Sequence, residues 1–349
     1  MYEHLILSNK TINDAVIMLS HLRSNAILFL IDEHNKLLGS ITDGDIRRAL
    51  IAEAKLDTPL TKIIQSNPIS IDASNVDVAQ IKHWRENQFK IVPIVNDEKV
   101  VIDILNFNKR KSILPIDCVI MAGGKGERLR PLTLKTPKPL LKVGEKPILE
   151  HGIDHLSYYG ISNFYITTNY LSEQIEEFIA SKKDNSQSIH CIKEPEFRGT
   201  IGSLSLIENF GEDTVLLCNS DLLSNVNIES FFLDFKNEKA DCSVLSIPHK
   251  VDVPFGVFKQ NGREVLSIEE KPTYLYETNG GMYLIKRSLL NKIPKNKPFT
   301  AVEFLHMLIS ENKKVIHFRH NGYWMDIGQH SDFEQAQIDI KYLFDNTYR

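Results

Sequence analysis

The stretch Cys118-Val119-Ile120-Met121-Ala122-Gly123-Gly124-Lys125-Gly126-Glu127-Arg128-Leu129-Arg130-Pro131 decides how this 349-residue chain is read. An apolar run of strand length empties straight into a glycine-rich loop. Residues without a Cβ let backbone N–H groups approach an anion closely, so the loop reads as a phosphate cradle. Two familiar cradles are excluded. The string G-x-x-x-x-G-K-[ST] occurs nowhere, and the dinucleotide fingerprint G-x-G-x-x-G/A fails because Gly124-x-Gly126-x-x arrives at Leu129. Instead, Arg128 stands two residues past the last glycine, and Lys138 follows inside a stiff Pro137-Lys138-Pro139 frame. Two fixed cations beside a glycine loop suit a triphosphate whose charge must be neutralised during transfer.

Downstream, residues 163–168 read as a second strand and residues 172–181 as the helix after it. Thr214-Val215-Leu216-Leu217-Cys218-Asn219-Ser220-Asp221 reads as a buried strand ending in a carboxylate. Ligands in open α/β sheets bind beyond the carboxyl ends of strands, so Asp221 is well placed to hold a metal ion. The plain alternative is that it caps the next turn. Glu269-Glu270-Lys271-Pro272, taken alone, is a charged surface turn before a proline.

Taken together, these strings closely resemble the signature of the sugar-1-phosphate nucleotidyltransferases, G-G-x-G-x-R-L-x-P-x-T-x-x-x-P-K-P. The resemblance runs from Asp117 to Tyr348. It implies an α/β, Rossmann-like (GT-A-like) domain with a mainly parallel sheet. It also implies transfer from a nucleoside triphosphate to a sugar 1-phosphate, with Ala122, Gly123, Gly124 and Gly126 at the nucleotide. Arg128, Lys138, Asp221 and Lys271 are then the catalytic set. Asp221 and, in Trp324-Met325-Asp326-Ile327-Gly328, Asp326 are the implied metal ligands; two hard oxygen donors suit Mg²⁺. Glu270 and Lys271 match the family's E-K-P motif at the sugar hydroxyls and phosphate. Asn279 and Gly281 match the N-x-G-x-Y segment beside the sugar, and Gly256 the strand beneath it. Ser220 and Gln329 depart from the family's usual Gly and Thr.

The stretch from Glu194 to Leu204, with Gly199 and Thr200, falls at the nucleobase loop and resembles the mannose-1-phosphate guanylyltransferase group. Glu194 suits the donors of guanine, so GTP is the expected donor; UTP, dTTP and CTP are the alternatives. Pairing of Glu194 with Arg198 is an equally sensible reading. The expected product is GDP-glucosamine or a GDP-mannose type, for surface glycan or nonulosonate synthesis.

The first third holds two weak copies of one unit, offset by 64 positions. Leu5 and Leu7 align with Ile69 and Ile71, Ile12–Ile17 with Val76–Ile81, and Ile27–Ile31 with Ile91–Val95. With Gly39-Ser40-Ile41-Thr42-Asp43-Gly44-Asp45, this resembles a tandem cystathionine-β-synthase (CBS) pair, in which Thr42 and Asp45 match the residues holding the ribose of an adenine nucleotide. The second copy offers Asp103 and Asn106 instead, and Asp43–Asp45 could simply cap the following helix. CBS repeats ahead of this catalytic domain are similar to the glucosamine-1-phosphate guanylyltransferases of legionaminic acid synthesis. The expected boundaries are a CBS pair over 1–106 (repeats about 1–64 and 65–106), a linker over 107–116 and a nucleotidyltransferase domain over 117–349. A non-catalytic adenine-nucleotide sensor is the rival reading.

Composition narrows the partners. Lys+Arg 41 against Asp+Glu 45 gives a net charge of −4, which excludes a strongly basic nucleic-acid footprint. The four cysteines form no C-x-x-C pair, as expected of reduced thiols in a cytoplasmic protein. No apolar run approaches the ~18 residues that cross a bilayer, and no signal peptide is visible, so no membrane partner is expected. A homo-oligomer is expected.

Overall fold

The computed structural model describes residues 2–22, 25–182, 187–295 and 297–343. The expected catalytic domain and its resemblance extend into residues 344–349, which lie outside the described residues. The chain divides into two compact units, Met1–Leu114 with Tyr158–Gly160, and Pro115–Ser157 with Ile161–Arg349.

In the first unit the elements are β1 (Leu5–Leu7), α1 (Ile12–Leu22), β2 (Ile27–Ile31), β3 (Leu37–Thr42), α2 (Asp43–Ile51) and β4 (Gln65–Ser66). They are followed by β5 (Ile71–Asp72), α3 (Val78–Glu86), β6 (Ile91–Val95) and β7 (Val101–Asn106). They form two sheets, β1-β2-β3-β4 and β5-β6-β7, each with one parallel pair followed by a hairpin. The hairpin turns repeat atom for atom at an offset of 64. Asp32 accepts from the His34 and Lys36 N–H groups, and Asn96 from those of Glu98 and Val100. Asn35 and Lys99 are both left-handed. The turns also clasp one another, Leu37 N–H donating to the Lys99 carbonyl and Val101 N–H to that of Asn35, both at 2.9 Å. Leu5, Phe29 and Ile31 of one copy share a core with Ile91, Val95, Val101 and Ile104 of the other.

The structure corrects the alignment of the copies outside the hairpins. Leu7 faces Ile31 while Asp72 faces Val95, so Ile6 corresponds to Ile71 rather than Leu5 and Leu7 to Ile69 and Ile71. Side chains alternate across a strand, so a one-residue slip exchanges the buried and the open face. Ile6 and Ile71 are each 3% exposed, whereas Leu7 and Ile69 are each 39% exposed. The helices shift by two residues. Thr11 and Asp77 are the respective N-terminal caps, so the buried Ile12 and Ala15 match Val78 and Ile81.

The second unit contains β8 (Asp117–Met121), β9 (Lys142–Val143), β10 (Lys146–Pro147), α4 (Ile148–Tyr158), β11 (Asn163–Thr168), α5 (Ser172–Ser181) and β12 (Ser188–Lys193). After these come β13 (Thr214–Asn219), β14 (Leu222–Ser224), α6 (Ile228–Asn237), β15 (Cys242–Asp252), β16 (Val257–Asn261) and β17 (Glu264–Glu269). β18 (Thr273–Lys286), α7 (Ala301–Ser310), β19 (Val315–Arg319), β20 (Trp324–Asp326) and α8 (His330–Leu343) complete it. Seven strands form one sheet in the order β12-β11-β8-β13-β18-β15-β19. Four of its six neighbouring pairs are parallel and β18 is antiparallel to both of its neighbours, so the sheet is mixed but mostly parallel.

The central strands are apolar because both of their faces are covered. Cys118, Val119, Val215, Leu216 and Leu217 are fully buried, and Phe304 and Leu308 of α7 close one face. Each Val, Leu or Phe among them contributes roughly 1.5–3 kcal/mol on burial. Chain order places β11 on one side of β8 and β13 on the other, which opens a crevice beyond the carboxyl end of β8. On the far side, β15 and β18 run past a bulge at Val244/Ser246 into an exposed arm, which also carries the separate β16–β17 hairpin. Among the described residues, no helix is long and apolar enough to cross a membrane.

Candidate active site

A cleft of about 640 Å³ opens at that crevice. Its floor is the loop after β8. Gly126 is left-handed at φ 59°, and a Cβ there would stand 2.9 Å from the Thr133 methyl, so the turn and the packing both require glycine. Thr133 fastens the loop by donating to the Gly126 carbonyl at 2.8 Å. At Gly123 only packing argues for glycine, since a Cβ would stand 2.9 Å from Oε1 of the buried Glu194.

One wall is charged. Lys138, held in a short helical turn between two prolines, donates from Nζ to Asp221 Oδ2 and lies 3.8 Å from Asp326 Oδ1. Asp221 lies in the turn between β13 and β14. Asp326 reaches it because β20 pairs antiparallel with β14, setting Leu222 opposite Asp326, and Ile327 N–H donates to the Asp221 carbonyl at 3.0 Å. Burial, and then the neighbouring Asp221 charge, push the Asp326 carboxyl up to about 6 against the pull of Lys138 and Arg128. Oδ1 of Asp221 and Oδ1 of Asp326 are buried and accept no hydrogen bond. Bare carboxylate oxygens side by side are costly to bury, and their chemistry matches the hard oxygen donors of a divalent cation. No group of three or more His, Cys, Asp or Glu arranged for a metal occurs among the described residues.

The opposite wall is the loop from Glu194 to Gly202. Glu194 is 4% exposed, and its Oε2 accepts the Arg198 N–H at 3.0 Å. Burial raises its carboxyl above the usual range. The Arg198 guanidinium turns away to the Lys295 carbonyl, so the two residues are joined through backbone rather than as an ion pair of side chains. Gly199, at φ 76°, packs against Phe299, and the Thr200 hydroxyl accepts from Ala301 N–H at the start of α7.

Ala122, Gly123, Gly124, Gly126, Arg128, Lys138, Glu194, Gly199, Thr200 and Asp221 therefore line one cleft. Asp326 joins them through Lys138. Gly281 abuts the cleft from behind, since a Cβ there would stand 2.8 Å from Asn219 Nδ2, and Asn279 accepts the Gly281 N–H. The structure does not bring Gly256, Glu270 and Lys271 into the cleft lining. They stay together on the arm, where Glu270 Oε2 lies 3.1 Å from the Cβ position of Gly256 and Lys271 is left-handed at φ 48°. Asn169, Phe197 and Asn219 also line the cleft. Asn169 is the first residue past β11 and Asn219 the last of β13; their signal in the sequence was position at a strand's carboxyl end.

In the first unit, Thr42 and Asp45 form a reciprocal capping box on α2. Asp45 Oδ2 accepts from Thr42 N–H and hydroxyl at 2.8 and 2.6 Å, and Oδ1 from Arg48 and Gln65. Burial would raise this carboxyl, but those bonds outweigh it and hold it below the usual range. In the second copy, Asp103 pairs with Arg110, and Asn106 accepts from the Asn108 N–H.

Comparison with known proteins bears on the family and the fold. The family model described as nucleotidyl transferase matches residues 117–342. The rice (Oryza sativa subsp. japonica) protein named "Probable mannose-1-phosphate guanylyltransferase 3" is 32% identical over 227 residues, 62% of each chain. The bifunctional protein GlmU of Methanocaldococcus jannaschii is 30% identical over 237 residues, 66% of this chain and 55% of that one. The chain thus spans about three fifths of the curated relatives' length. The crystal structure of HddC from Yersinia pseudotuberculosis superposes with a TM-score of 0.51 at 24% identity, covering 64% of this chain and 99% of that one, a likeness of fold.

Proposed function

The chain belongs to the nucleotidyl transferase family, and we propose that it moves the nucleotidyl group of a nucleoside triphosphate, GTP in the first place, onto a sugar 1-phosphate. A phosphate oxygen of the sugar 1-phosphate attacks the α-phosphorus in line. The bond from the α-phosphorus to the bridging oxygen of the β-phosphate breaks, and pyrophosphate leaves with the bonding pair. The attacking phosphate is already ionised at neutral pH, so no protein nucleophile is needed and catalysis is positioning plus neutralisation of charge.

The observation that carries this reading is the convergence of glycine loop, Arg128, Lys138 and two incompletely bonded carboxylates on one cleft. The loop N–H groups cradle the triphosphate, and Arg128 and Lys138 offset charge on the α-phosphate and the departing pyrophosphate. Mg²⁺ held by Asp221 and Asp326 would add Lewis-acid neutralisation of the triphosphate. Glu194, beside Gly123, supports recognition of guanine, as do the relatives' names. The sugar 1-phosphate is assigned to the side of Asn279 and Gly281, with Glu270 and Lys271 contributed by the arm. Mannose 1-phosphate and glucosamine 1-phosphate are the leading acceptors. The first unit is assigned as a tandem CBS pair over residues 1–106, which senses an adenine nucleotide or assembles the enzyme.

Pyrophosphate release from a matrix of GTP, UTP, dTTP, CTP and ATP against several sugar 1-phosphates tests the proposal. Turnover confined to GTP with one or two sugars is the expected pattern. Turnover with another base reassigns Glu194. No product with any pair favours the non-catalytic sensor.

A further inference from the structure

Lys138 does more in this structure than approach a phosphate site. Its Nζ donates to Asp221 Oδ2 and stands 3.8 Å from Asp326 Oδ1, so one ammonium bridges both members of the acidic pair. Its side chain is only 11% exposed and that of Asp221 only 19%, which leaves the contact little screened by water. Oδ1 of Asp221 is buried and accepts no hydrogen bond, and Oδ1 of Asp326, near the ammonium but beyond hydrogen-bonding distance at 3.8 Å, is buried and accepts none either. The ammonium therefore hydrogen-bonds a single oxygen of the pair and leaves a buried Oδ1 on each carboxylate open to another cation.

From this geometry we propose that Lys138 is an exchangeable counter-ion of the acidic pair, antagonistic to a divalent cation at Asp221 and Asp326 and released toward the triphosphate when that cation binds. The inference rests on the proposed nucleotidyl transfer. Charge dictates the exchange. Two carboxylates with one ammonium sum to −1, and a divalent cation added beside a retained ammonium would leave +1 in a half-buried wall. With the lysine displaced the wall is neutral, and like charges a few ångströms apart no longer oppose each other. The cleft over the glycine loop offers the displaced ammonium a destination, because Lys138 lines it together with Gly123, Gly124 and Gly126. Cation and triphosphate then bind cooperatively through one side chain, each favouring the other by the same factor.

The consequence runs against simple intuition: deleting a phosphate-binding lysine should strengthen cation binding. Calorimetric titration of Mg²⁺ into the full chain without nucleotide is expected to show Lys138→Met binding at least tenfold more tightly than the unaltered protein. Lys138→Ala, which does not preserve the aliphatic stem, should move the same way. A non-hydrolysable GTP analogue should tighten Mg²⁺ binding in the unaltered protein, and this gain should shrink toward none in Lys138→Met. Unchanged or weaker Mg²⁺ binding in both variants overturns the exchange, including the case in which no form binds Mg²⁺ measurably. If the unaltered protein turns over and Asp221→Asn abolishes Mg²⁺ binding while the lysine variants leave it unchanged, the nucleotidyl transfer stands and the exchange alone fails.

Discussion

Asp45 in the first turn of α2 and the Asp221–Asp326 pair in the second unit are carboxylates partly or wholly withdrawn from water, yet they end in opposite conditions. Asp45 has four donors for its two oxygens, from Thr42, Arg48 and Gln65. The pair shares one ammonium and leaves two buried oxygens bare. Burial raises the cost of charge at both Asp45 and Asp326; at Asp45 the hydrogen bonds outweigh it and hold the carboxyl low, whereas at Asp326 the neighbouring Asp221 charge adds to it and the carboxyl is pushed up. A filled carboxylate closes a helix end. An unfilled pair is a demand for a ligand.

The largest effect that would break this contrast is on turnover. Asp221→Asn is expected to lower pyrophosphate release by about 100-fold or more, the range seen when one charge-stabilising group is removed, while its thermal midpoint stays at or above that of the unaltered chain. Near-normal turnover would reduce Asp221 to a structural role. Next in size, Asp45→Ala should destabilise the first unit by about 1–2 kcal/mol in urea unfolding, the usual cost of a lost cap, and leave turnover with the preferred substrate pair unchanged. A rise in melting temperature with AMP or ATP that this variant abolishes would add a ligand role to the cap. An unchanged unfolding midpoint would show that the capping box contributes little.

The smallest effects are in pH dependence, and they carry opposite signs. Asp326 titrates near 6 in the fold against an ordinary 3.8. The folded chain therefore holds an extra proton between those values, and stability falls as pH rises through the window. Asp326→Asn should remove that decline, so its melting temperature should gain on the unaltered chain between pH 4 and 7. Asp45, held below 3.8, contributes stability that is present above that value and lost as pH falls through its folded pKa. Asp45→Asn should therefore lose ground at neutral pH and regain it in acid. Parallel pH profiles for the two variants would erase the contrast.

How much of this was legible in the sequence follows from how local each feature is. The glycine loop, the cations beside it and the strand before it lie within about twenty consecutive residues, and their order alone carries the meaning. The meeting of residues 221 and 326 depends on the three-residue ribbon of β14 with β20, too short to announce itself by periodicity. Matched motifs identified the members, and only pairing explains their approach. Asn169 and Phe197 carry no motif and enter the cleft through the ends of a strand and a loop. Lys271 shows the reverse, a residue matched by motif whose place on an arm outside the cleft lining the motif did not convey. In the repeats, hairpin turns fixed by Asp32 and Asn96 keep their spacing, whereas the alignment over β1 and β5 misses by one residue because a string that is apolar at every position, Leu5-Ile6-Leu7, does not tell its buried face from its open one.

The ribbon that delivers Asp326 has a consequence for how the protein is made. β20 follows every strand of the seven-stranded sheet in chain order. A growing chain on the ribosome can complete the glycine loop, Lys138 and Asp221, and even the whole sheet, while the second carboxylate is still unsynthesised or inside the exit tunnel. Assembly of the acidic pair thereby waits until every strand of the sheet has been synthesised, and a chain that aborts before β20 carries the glycine loop and Asp221 but lacks the second carboxylate.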